Sequence, residues 1–98
     1  MAQFDVRRTL DGGLVVDCQS DLLCHLDTRL VVPLLPASEF EAVARRFNPL
    51  FVIEDVEYVL YTQFAAAVPA RQLNDVVTNL DDHSIVVIDA LDVLLTGV

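Results

Sequence analysis

Lysine is absent from this chain; its six basic residues are all arginines, set against fifteen acids for a formal charge of -9 at pH 7. Nucleic-acid binding draws much of its affinity from phosphate neutralisation by Lys and Arg. A field of this sign repels DNA and RNA outside a local arginine patch, so no direct nucleic-acid binding is expected, and a protein partner is. Cysteine is scarce too: Cys18 and Cys24 match no zinc or redox spacing. Cys24-His25 lies near Asp21 and Asp27, but no second Cys/His pair completes a tetrahedral metal site. Both thiols read as reduced and inert, with neither metal nor cofactor expected. Long apolar runs are also missing, because Pro33, Pro36, Glu54, Asp55, Glu57 and Asp89 interrupt them short of the roughly 18 residues of a membrane span. With no basic segment leading into an apolar core and cleavage site, the chain is expected to be cytoplasmic, away from any membrane.

Linkers, repeats and low-complexity segments are lacking as well, so residues 1–98 read as one domain. A domain of this length removes only about two-thirds of its unfolded surface from water. Yet 54% of the residues are hydrophobic, which suggests apolar surface buried between subunits and hence a homodimer.

Short β-rich segments dominate the chain. FDVRR and LVVDCQ flank Asp11-Gly12-Gly13 and look like two arms of a hairpin, the first with Phe4 and Val6 inward and Asp5 and Arg7 outward. RLVVPLLP, residues 29–36, carries Pro33, which cannot donate to a ladder, so an edge strand or a bulge is expected. SEFEAVARR, residues 38–46, offers Ser38 and Glu41 as a capping box for a short helix. LFVIEDVEYVLYTQF forms a second hairpin turning at Glu54-Asp55, with Val56, Tyr58 and Leu60 on one face. AAAVPARQL gives a further short strand with Pro69 inside it. Together these indicate a small all-β barrel or sandwich.

The last segment, SIVVIDALDVLLTGV, has strand propensity at residues 85–88, but its periodicity favours a helix. Asp89, Asp92 and Thr96 are spaced three and four apart and share one helical face, whereas a strand would send Asp89 and Asp92 to opposite sides. A helix over 82–95 is predicted, capped by Asp81 or Asp82 and ended by Gly97.

No phosphate loop, nucleophile elbow or paired metal histidines are present. His25 and His83 read as solvated surface residues. The polar knot VDCQSD is either a binding loop or a strand ending in a turn that satisfies its own backbone. Glu54, Asp55 and Glu57 are either hard-cation ligands or a solvated hairpin tip. Arg7, Arg8 and Arg29 form either a local anion site or solvent-facing strand positions.

Several pieces in fixed order resemble the CcdB family of toxins from toxin-antitoxin modules: QF-V at 3–6, VDCQSDLL at 16–23, TRLVVPLLP at 28–36, a later AVP, and the ending LLTGV. The resemblance runs end to end. It implies a mainly β fold, an SH3-like barrel of antiparallel strands with a small extra sheet and a C-terminal α-helix, assembled as a two-fold dimer. It implies a non-enzymatic function, in which the toxin binds the A subunit of DNA gyrase and traps the enzyme with its DNA cut. It further implies an antitoxin whose flexible C-terminal segment wraps the dimer and helps repress the operon, and the -9 charge suggests that this segment is basic.

In the family pattern the last three residues are Trp-Gly-Ile, and here the matching positions are Thr96, Gly97 and Val98. A buried aromatic contributes roughly 150 to 250 Å² of contact, which a threonine does not replace. Either gyrase binding is spread over these three residues and the family-matched Leu22, Leu23 and Asp92, or the chain binds antitoxin without poisoning gyrase. An endoribonuclease of the MazF or Kid type, built on the same fold around Arg7, Arg8 or Arg29, is the enzymatic alternative, which the acidic composition opposes.

Overall fold

Strands β1 (Asp5–Thr9), β2 (Leu14–Asp17), β3 (Thr28–Pro36), β4 (Leu50–Ile53), β5 (Val56–Leu60), β6 (Ala66–Pro69) and β7 (Leu73–Asn79) precede one helix, α1 (Ser84–Thr96). This is the order in a computed structural model, which describes residues 2–97. All pairings are antiparallel, in the order β4-β5-β3-β2-β1-β7, with β6 also on β3. The sheet curls into a half-barrel with α1 packed on its core through Val87 and Ala90, the mainly β architecture expected from the sequence.

Two of the turns follow directly from local chemistry. Between β1 and β2, Gly12 sits at φ 90°, and the Thr9 and Gly12 amides donate to the Gly13 and Thr9 carbonyls at 2.9 and 3.0 Å. Between β4 and β5, Ile53 pairs with Val56 across Glu54 and Asp55. Both turn residues hold positive φ, 51° and 66°, the condition for a two-residue hairpin whose twist matches its strands.

β3 is the organising strand. Its first half, Thr28 to Val31, pairs with β6, and its second half, Leu34 to Pro36, pairs with β5. The small added hairpin β4–β5 is thereby joined to the barrel strands. This corrects the expectation for Pro33, which lies in the middle of the sheet. Its carbonyl accepts from the Tyr61 amide at 2.9 Å, and in an extended strand a residue's N and C=O point to the same side. The missing N–H therefore faces the gap where the neighbour changes from β6 to β5, and no ladder bond is lost.

Buried apolar residues form two clusters, one on each face of the sheet. Val6, Leu14, Val16, Val32, Leu34 and Leu60 pack with Phe4, Phe51, Ile53 and the helix residues Val87 and Ala90. Tyr58 joins this core beside Leu60, while Val56 at the hairpin tip stays exposed. On the other face Val15, Val31 and Leu73 form a second cluster with Val68 against it. Asp5, expected outward, is instead buried, its carboxylate accepting from the Ala2 amide and the Asn79 side chain. Arg7 is likewise half-buried.

Residues 38–46 do not form the predicted helix; the segment runs through turns. A single amphipathic turn gains little unless its apolar face is buried, and here Val43 is 75% exposed. Phe40 turns instead to Tyr61, edge-on at 5.8 Å, and Tyr61 meets Phe64 at 4.9 Å. Buried Asn48 holds the loop: its Oδ1 accepts from the Val43 amide at 2.9 Å, and its Nδ2 donates to the Leu60 carbonyl and Gln63 Oε1.

Helix α1 begins at Ser84, two residues later than predicted, after a 3-10 turn at Asp81–His83. Neither aspartate caps it through its side chain. The Asp81 amide is instead taken by Asn79 Oδ1 at 2.7 Å.

Candidate partner-binding site

The polar knot after β2 is spent on its own structure. Asp17 and Arg29 are both fully buried; Arg29 Nε and Nη2 donate to Asp17 Oδ2 and Oδ1 at 2.8 and 3.0 Å. Gln19 bridges the Leu23 carbonyl and the Leu30 amide, and Ser20 Oγ accepts from the Leu22 amide at the start of a 3-10 turn, Asp21–Leu23. Asp21 Oδ1 takes the Gln3 amide at 2.8 Å. Burial, together with the Asp17 charge, pushes the Cys18 thiol up to about 12.

A turn held this firmly from below points its apolar residues away from the protein. Leu22 is 88% exposed and Leu23 is 45% exposed. Large aliphatic side chains on a backbone fixed by side-chain bonds form a pre-ordered contact surface, with little conformational entropy left to lose on binding.

The arginines expected to make an anion site or to face solvent are separated. Arg29 is wholly interior, which corrects both alternatives for that residue. Arg7 and Arg8 point to opposite faces of β1, and Arg8 Nη2 donates to Glu54 Oε1 at 3.3 Å. Among the described residues no group of three or more His, Cys, Asp or Glu is placed to hold a metal ion.

The second candidate surface is the C-terminal half of α1. Asp92 and Thr96 are exposed along one face, and the Thr96 hydroxyl donates back to the Asp92 carbonyl at 2.7 Å. Gly97 ends the helix in the left-handed conformation at φ 73°, its amide donating to the Val93 carbonyl at 2.9 Å. Val98 lies outside the described residues. Leu22 and Leu23 thus sit on one element, and Asp92, Thr96 and Gly97 on another.

Two positioning features went unread in the sequence. Buried Asn48 and Thr62 tie the 37–49 loop to the sheet, the Thr62 hydroxyl donating to the Phe47 carbonyl at 2.6 Å. Arg46 clamps the same loop to α1 through two bonds to Asp89, at 2.8 and 2.9 Å. Asn-Pro at 48–49 was a legible turn signal, but the reach from Arg46 to Asp89 exists only once the chain has folded.

A curled antiparallel half-barrel with one C-terminal helix, a buried Asp–Arg pair near an exposed Leu-Leu turn, and a glycine-ended helix define a small, mainly β fold with two candidate surfaces. Among known families, the sequence model described as CcdB protein matches residues 3–97. The chain belongs to the CcdB family, and so to the toxins of toxin-antitoxin modules. A comparison with curated proteins finds no match. None of the described helices is long and apolar enough to cross a membrane.

Proposed function

We propose that this chain is a gyrase poison: a two-fold homodimer that binds the A subunit of DNA gyrase and traps the cleaved gyrase–DNA complex. Its action is non-enzymatic. A cognate antitoxin neutralises it through a flexible, basic C-terminal segment and uses the complex to repress the operon. The observation that carries this reading is the family match over residues 3–97, combined with outward apolar groups at the matching positions, above all Leu22 at 88% exposure.

Gyrase affinity is spread over Leu22, Leu23, Asp92, Thr96, Gly97 and Val98. Hot-spot aromatics often contribute several kcal/mol, on the order of 2 or more, and position 96 offers a hydroxyl already bonded to the helix backbone. The leucines of the 21–23 turn carry a correspondingly larger share.

Purified protein, gyrase and supercoiled plasmid test the proposal, with linear DNA scored after detergent and protease. Linear product supports poisoning. Degraded RNA without DNA breaks means an endoribonuclease, and neither product means an antitoxin-binding homologue that no longer poisons gyrase. The basic antitoxin segment has its own test, since charge complementarity acts mainly on the association rate. A steep fall of the toxin–antitoxin on-rate with salt is expected, and a flat profile sinks that part.

A further inference from the structure

The β4–β5 hairpin has two faces, and only one of them joins the main core. Phe51, Ile53 and Leu60 pack inward. The residues between them alternate onto the outer face, where Leu50 stands opposite Val59 and Val52 opposite Glu57. Residues of the 37–49 loop meet this face across an open pocket of about 310 Å³, with Ala37, Phe40, Leu50 and Val59 as its apolar lining.

The loop is fixed on both sides of the pocket. The Glu39 and Phe40 amides donate to the Pro36 carbonyl at 3.0 and 3.1 Å, and the Phe47 and Asn48 amides donate to the Ala44 carbonyl at 3.0 and 2.7 Å. Phe40 is set edge-on to Tyr61, and Arg46 is held by Asp89. Three charged side chains of the lining, by contrast, are uncommitted. Glu41 and Arg45 from the loop and Glu57 from β5 make no side-chain hydrogen bond or ion pair among the described residues. A second depression, lined by Ser38, Asp55 and Val56, shares Ala37 and Glu57 with the first and lengthens its acidic end. An apolar pocket on a fixed backbone, with a few polar groups converging on it, has the make-up of a small-molecule site.

We infer that this pocket binds a free basic amino acid of the lysine or arginine type. The choice of ligand follows from charge. One base and two acids around the pocket are matched, group for group, by one carboxylate and two cations carried on a single molecule. Arg45 takes the α-carboxylate, to which a guanidinium offers two parallel hydrogen bonds. Glu41, on the same loop, takes the α-ammonium, and Glu57, across the pocket on β5, takes the distal cation. The aliphatic stem between the two ends lies on Leu50 and Val59 and covers apolar surface while its charged head stays at the rim. A purely apolar ligand would strip water from three charges without pairing them, which opposes its binding. A simple anion would meet two carboxylates beside its one arginine. The inference stands apart from the gyrase reading, since it uses none of the residues proposed to contact gyrase.

The probes are L-lysine and L-arginine, titrated into the full chain at low salt and followed by amide chemical shifts. Saturable shifts confined to the 37–45 loop and the β4–β5 hairpin are expected. Each charge on the ligand has its own control: norleucine lacks the distal cation, agmatine lacks the carboxylate, and N-acetyl-arginine lacks the α-ammonium. Each control is expected to bind weaker by roughly fivefold, the upper range for an exposed ion pair. Arg45→Gln is expected to erase the difference between arginine and agmatine, and Glu57→Gln the difference between lysine and norleucine. Both positions are exposed, so both variants keep the fold, as circular dichroism verifies. Norleucine binding as well as lysine overturns the ligand class. Binding that is unchanged in both variants, or shifts centred elsewhere, overturns the site. Absence of saturation by either basic amino acid up to about 10 mM, a binding free energy below roughly 3 kcal/mol, overturns the inference as a whole.

Discussion

Arg29 and Asp17 meet through two parallel hydrogen bonds of 2.8 and 3.0 Å, both side chains wholly shielded from water, at the base of the turn that carries Leu22 and Leu23. Removing one partner strands a buried charge, at a cost of about 3–5 kcal/mol. Asp17→Ala and Arg29→Ala are each expected to lower the urea midpoint accordingly, whereas Asp17→Leu/Arg29→Met costs less than either. Additive losses in the double variant would contradict this.

The two thiols differ sharply. Cys24 is exposed and Cys18 is buried, with its thiol pushed up to about 12 by burial and by neighbouring Asp17. Only the thiolate reacts. Native labelling near neutral pH is expected to modify Cys24 and spare Cys18 until the protein is unfolded, as mass spectrometry of labelled peptides would show.

Asp89 has its carboxyl held below the ordinary value of 3.8, chiefly by its hydrogen bond with Arg46. The folded protein therefore binds this proton less tightly than the unfolded chain. The contribution to stability is complete above the ordinary value and disappears as pH falls through the lowered one. Asp89→Asn is expected to weaken the protein slightly at neutral pH, with the difference vanishing in strong acid and shrinking in high salt. A difference that persists in acid would assign the effect to packing instead.

The β4–β5 turn places Glu54 and Asp55 at φ 51° and 66°. Side chains other than Gly, Asn and Asp disfavour this region, by roughly 1–2 kcal/mol per residue, so the strain lies mainly at Glu54, and Asn-Gly is the preferred pair for such a turn. Glu54→Asn/Asp55→Gly is expected to raise stability by about 1 kcal/mol, because the exposed Arg8–Glu54 contact it removes contributes little. An unchanged or lower melting temperature would refute it.

Deleting Gly97 and Val98 keeps the Ser84–Thr96 sequence of α1 and is expected to abolish growth arrest while the protein stays folded. A truncated protein that still kills would remove the tail from the proposed gyrase surface.

What the sequence determined by itself is local. Asp11-Gly12-Gly13 marks the first hairpin, Glu54-Asp55 sits between two β-rich arms, and the spacing of Asp89, Asp92 and Thr96 outweighs the strand propensity of residues 85–88, because periodicity is set by which face of an element each residue occupies. The family pattern was legible for the same reason: it resides in short pieces in fixed order.

Tertiary structure decided what depends on the neighbours. Pro33 reads as an edge residue until β6 and β5 divide β3 between them. Ser38 and Glu41 read as a capping box until Asn48 takes the loop's amide and leaves the segment no core to face. Strand β7 escaped a reading by propensity because LNDVVTN mixes polar residues with its valines, and its order comes from pairing with β1. Arg29 reads as a surface base until the fold sets it, fully buried, against Asp17 from the neighbouring strand. Each outcome is set by residues distant in sequence, since which strands become neighbours and which polar groups meet is not written in the segment itself.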